Sequence, residues 1–102
     1  FEVIIKILNN NLIQKEVLME KRLGTISILI SDPKIVPKVN QLLSEVSLLI
    51  LARQGLPLRE HNLNFISLII EGNTDQISAL TGKLGRLPDV EVKSMLSKIK
   101  IV

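Results

Sequence analysis

The sequence predicts an α+β fold, an antiparallel four-stranded sheet with two helices on one face, in the order β-α-β-β-α-β. Three observations lead there. Alternating aliphatic residues mark half-buried strands at 24–31 and 64–71. Ile35, Val39, Leu42, Leu43 and Val46 recur at helical spacing, and so do Ile77, Leu80, Thr81 and Leu84. Shorter aliphatic runs at 48–53 and 90–96 supply two further strands. Right-handed crossovers put both helices on the same side of the sheet. The result is the ferredoxin-like split βαβ sandwich with strand order 4-1-3-2.

Each element has its own warrant. In the strand at 24–31, Ile26, Ile28 and Ile30 share one face, and Thr25, Ser27 and Leu29 share the other. Asp32 followed by Pro33 reads as a helix cap and first turn. Pro37 lies near enough to that start to be accommodated by a distorted first turn. After the strand at 48–53, "QGLPLREHNL" reads as the turn into the strand at 64–71. Asn73 or Thr74 caps the second helix, with Asp75 favourable to its dipole, and "LPD" ends it before the strand at 90–96.

This arrangement leaves one sheet face bare. Ser27, Leu29, Ser67 and Ile69 of the central strands point there, with Phe65 nearby. The second strand adds either Leu49 and Leu51 or Leu48 and Ile50. An apolar, weakly charged face of this kind marks an interface. A homo-oligomer, dimer or tetramer, is the expectation.

Composition narrows the function classes. The 102 residues suit one domain. The absence of cysteine excludes disulfides, thiolate metal sites and cysteine nucleophiles, and points to the cytoplasm. A net charge of +3 spread among ten acids is a weak nucleic-acid footprint. Aromatic residues are 2% of the chain, too few for base-stacking platforms. No run reaches the length of a membrane-spanning helix.

Residues 1–18 differ in character, ten of them being Phe, Ile, Lys or Asn. They read either as upstream DNA translated ahead of a true start at Met19, or as an extra N-terminal strand through Val3, Ile4, Ile5, Ile7 and Leu8. Residues 19–102 form the domain.

The stretches "EKRLGTISILISD", "RQGLP" and "FISLIIEGNTDQISALTGKLGRLPDVEVKS" resemble the small bacterial family of iron-only hydrogenase system regulators. The resemblance runs from Met19 to about Lys98. It implies a stand-alone ACT-like domain, related in fold to the C-terminal part of nickel-responsive regulators, and a regulatory role in the hydrogenase system. Nickel-responsive repressors bind DNA through a separate ribbon-helix-helix domain, for which the eighteen residues before Met19 are too few. No helix-turn-helix pattern or basic helical stripe substitutes for it.

Candidate site residues follow from chemistry and resemblance together. Gly82 and Gly85 each cost a helix interior about 1 kcal/mol. They bear three readings: they relieve crowding, Gly85 caps the helix, or bare backbone admits a partner or ligand. Asp32 lies in the loop where ACT domains hold amino acids, but Lys34 stands where those loops carry glycine, so a capping role competes. Arg53, Lys83 and Arg86 are the cations within the recognisable stretches. His61, the sole histidine, reads as a solvated loop residue; a metal site would need it at a symmetry axis with carboxylates. No nucleophile or acid–base pair converges around it.

The expected function is therefore a cytoplasmic, non-enzymatic regulatory module, without a cofactor, acting through a small-molecule effector or a protein partner. A structural assembly subunit without ligand is the alternative, followed by a direct nucleic-acid-binding regulator. Intact mass of the protein expressed from its own upstream DNA tests the Met19 start, which a species beginning at Phe1 rejects.

Overall fold

A computed structural model describes residues 21–101, and the expectations for residues 1–18 and Met19 lie outside them. Four strands form one antiparallel sheet: β1 (Lys21–Ile30), β2 (Ile50–Leu58), β3 (Leu63–Gly72) and β4 (Val90–Ile101). Their order is β2-β3-β1-β4, the arrangement expected of the split βαβ sandwich. Helices α1 (Val36–Glu45) and α2 (Thr74–Gly85) cover one face.

The core follows from the alternation along the two central strands. Ile26, Ile28 and Ile30 of β1 and Ile66, Leu68 and Ile70 of β3 are buried against Val39 and Leu43 of α1 and Ile77, Leu80 and Leu84 of α2. No polar or charged side chain is buried with them among the described residues. The directly paired residues Ile26 and Leu68, and Ile28 and Ile66, put branched aliphatics side by side on this face.

Local sequence sets the helix starts. The Asp32 side chain accepts a hydrogen bond from the Lys34 amide at 3.0 Å, capping a 3-10 turn over Pro33–Ile35. Pro37 then falls in the first turn of α1, which carries no side-chain cap of its own. The anticipated distortion is thus a whole 3-10 turn. At α2, Asn73 and Gln76 form a reciprocal capping box with bonds of 2.8 and 2.9 Å.

Two expectations need correction. β2 begins at Ile50, because residues 47–49 form a 3-10 turn, and it runs on to Leu58. Gln54, Gly55, Leu56, Pro57 and Leu58, read as a turn, pair in register with β3, and the chain reverses only over Arg59–Asn62. Gly55 and Pro57 weaken a central strand but are tolerated at a sheet edge, where one row of backbone groups needs no partner. β4 likewise continues beyond residue 96, to Ile101.

One glycine is required by packing. A Cβ at buried Gly24 would stand 2.7 Å from the Met95 carbonyl oxygen, where the β1–β4 register shifts. Gly24→Ala is expected to lower stability by about 1–3 kcal/mol through overpacking. Ile28→Ala, which opens a cavity in the core, should cost about 2–5 kcal/mol. Urea denaturation measures both, and wild-type midpoints would contradict this packing.

Candidate functional site

Paired residues on adjacent strands share a face, so the register defines the surface opposite the helices. One row runs Leu56, Phe65, Leu29 and Glu91; the next Gln54, Ser67, Ser27 and Lys93; a third Ala52, Ile69, Thr25 and Met95. Leu56, Phe65, Ile69 and Met95 are 56, 37, 42 and 62% exposed, which is unusual for large apolar side chains grouped on one face. Leu23, also exposed, extends the patch opposite Glu71. Its charged members, Glu71, Glu91 and Lys93, stand at the end of β3 and on the edge strand β4, and the uncharged row of Gln54, Ser67 and Ser27 separates two groups of apolar side chains.

The predicted face residues Ser27, Leu29, Phe65, Ser67 and Ile69 are all here. The second strand contributes differently from either expected set. Leu48 and Leu49 lie in the 3-10 turn, and Ile50 pairs with buried Ile70 on the helix face. The register shifts between Ile50 and Ala52, and beyond it Leu56 and Leu58 join the open face. The misplaced turn hid these two leucines.

The other candidates do not converge. Asp32 is occupied as a cap, beside Ser31, whose backbone amide and hydroxyl both donate to the Asp89 carbonyl at 2.9 and 3.3 Å. The Arg53 guanidinium reaches across from β2 to donate to the Asn40 side-chain oxygen on α1. Together with Leu43, Ser44, Ser47 and Ile50 these two line a shallow cleft of about 330 Å³. Lys83 lines a second cleft, of about 450 Å³, between the end of α1 and the middle of α2. Leu42, Val46, Leu48, Leu49, Ala79 and Leu80 form its apolar walls, with Glu45 and Gln76 beside Lys83. Sequence reasoning missed this cleft, because its walls come from segments about thirty residues apart that meet only when the helices dock.

Gly82 and Gly85 lie in α2, Gly85 as its last residue and Arg86 as the C-cap. Neither relieves crowding, which corrects one of the three readings. A Cβ at Gly85 would meet nothing within 4 Å, and at Gly82 only the tip of Arg86, at 3.6 Å. Nor does Gly85 cap through a left-handed backbone, since no described glycine has a positive φ. Nothing inside the described chain accounts for the pair.

His61 is exposed in the turn after β2. Among the described residues no group of three or more His, Cys, Asp or Glu could hold a metal ion. Among them, too, no helix is long and apolar enough to cross a membrane.

Known proteins share this architecture. The uncharacterized protein TM1266 from Thermotoga maritima is 41% identical over 78% of this chain and all of its own, with a TM-score of 0.75. The ACT domain of a GTP pyrophosphokinase from Chlorobium tepidum is 20% identical, covering 74% of this chain and 86% of its own, with a TM-score of 0.61. An ACT domain protein from Streptococcus pneumoniae is 15% identical over 74% of this chain and 89% of its own, at a TM-score of 0.50. At these lower identities the likeness is one of fold. No curated protein matches the sequence. The family described as "Iron-only hydrogenase system regulator, putative", TM1266-like, matches residues 22–94. The chain belongs to that family, and its fold is ACT-like.

The open space around the helical glycines makes a direct test. Gly82→Ala and Gly85→Ala should each stabilise the isolated fold by about 0.4–1 kcal/mol, because alanine restricts the unfolded chain and meets no clash. Thermal melting reads this, and a fall in melting temperature would mean that something beyond the described residues needs the bare backbone.

Proposed function

We propose that this member of the iron-only hydrogenase system regulators is a non-enzymatic regulatory module whose output is its state of assembly. The observation that carries the reading is the open sheet face, with Leu29, Leu56, Phe65, Ile69 and Met95 gathered opposite the helices. A second copy of the chain covers it, and the water released from those side chains supplies the driving force. Glu91 and Lys93, two residues apart on the same side of β4, give such a pairing charges of both signs at its rim.

An effector bound between copies would then favour one arrangement over another, and a protein partner would read the difference. Asp32, Arg53, Gly82, Lys83, Gly85 and Arg86 are the proposed contacts. Arg53 and Lys83 carry most weight, since each lines a cleft. Gly82 and Gly85 join them as backbone that a neighbour approaches. The reading takes the protein to be cytoplasmic and its link to the hydrogenase system to be that of its family.

The test places a charge in the middle of the face. Ile69→Lys should lower the oligomeric mass measured by light scattering while circular dichroism keeps its wild-type form. An unchanged mass removes the face from the account. Affinity for DNA or RNA that falls steeply with salt would favour the nucleic-acid-binding alternative instead.

A further inference from the structure

The cleft between the helices has a feature that the sheet-face reading leaves unused. Leu48, on its lip, is 96% exposed, more than any other large aliphatic among the described residues. A leucine held fully in water contributes nothing to folding through burial. Beside it lies an apolar hollow of about 450 Å³, roomy enough for a leucine side chain and walled by Leu42, Ala79 and Leu80. Glu45 at the end of α1 and Lys83 on α2 flank the hollow, both exposed. Among the described residues neither side chain has an ion-pair or hydrogen-bond partner.

We propose that this patch is a second self-association surface, on which two copies dock about a two-fold axis. Leu48 of each copy enters the hollow of the other, and Glu45 of each meets the partner's Lys83. Projection, hollow, acid and base all lie on one small surface, which is what a two-fold contact requires: each contact is made twice, by the same residues. A small molecule in the hollow would leave Leu48 in water, whereas a second copy buries it in both chains. The patch lies across the sheet from the open face. The two contacts therefore use opposite sides of the molecule and do not compete for the same surface. The inference shares with the proposed function the premise that the chain self-associates, and it assigns the Lys83 cleft to a second copy instead of an effector.

Charge exchange in the full chain separates the two. Leu48→Asp should lower the assembled mass seen by sedimentation, with the circular dichroism spectrum unchanged. In the otherwise unaltered chain, Glu45→Lys and Lys83→Glu should each weaken this helix-side association at least tenfold, by setting like charges against each other. The double variant should recover most of the wild-type affinity, a rescue that no folding defect produces. An unaltered mass for Leu48→Asp, or a double variant as weak as the single ones, overturns the proposal. If Ile69→Lys leaves the mass unchanged while the charge exchange still rescues, the sheet-face reading fails and this one stands.

Discussion

The alternation along β1 is the constraint on which the rest of the structure depends. Ile26, Ile28 and Ile30 are buried without remainder, and Ser27 and Leu29 between them face the other way. Because the side-chain period of a strand is two, the register that buries the isoleucines also commits every intervening residue to the opposite face. β3 repeats the pattern with Ile66, Leu68 and Ile70 inside and Phe65, Ser67 and Ile69 outside. A one-residue slip would drive serines into the core, so the register is firmly specified. With both helices on one side, the sheet is a layer that the described residues cover only once.

That geometry connects the fold to function. A two-layer sandwich could expose a hydrophilic sheet, as many do, with serine, threonine and lysine at the outward positions. Here Leu29, Leu56, Phe65, Ile69 and Met95 share the outward positions with Thr25, Ser27, Gln54 and Ser67, while the charged residues stand toward the perimeter. The helix side shows the same economy on a smaller scale, with Leu48 standing clear of the core beside a hollow lined by its neighbours. Both are contact surfaces, in a family described by regulation.

Much of this was legible in the sequence, and the parts that were not have physical reasons. The capping box of Asn73 and Gln76 and the cap at Asp32 are local, so short-range rules find them. The central strands declare themselves by strict alternation. β2 was harder, because Gly55 and Pro57 are turn residues everywhere except at an edge, and only the sheet order reveals that β2 is an edge. Leu48 carried a readable signal: four consecutive aliphatics, Leu48 to Leu51, exceed what a strand with one buried face can hide. The helix cleft had no such signal, since residues 42–49 and 76–83 become neighbours only through tertiary packing. The glycines were conspicuous in the sequence but find no explanation among the described residues, which directs attention to whatever lies against α2.

The central claim is that one chain does not complete its own surface. Native mass spectrometry of the unaltered full chain, followed from high to low micromolar concentration, tests it most directly. The account predicts discrete assemblies of two or four copies that persist on dilution, and any retained ligand would register as added mass. A protein that remains a stable, folded monomer throughout that range would contradict it, because the exposed sheet face would then need no cover.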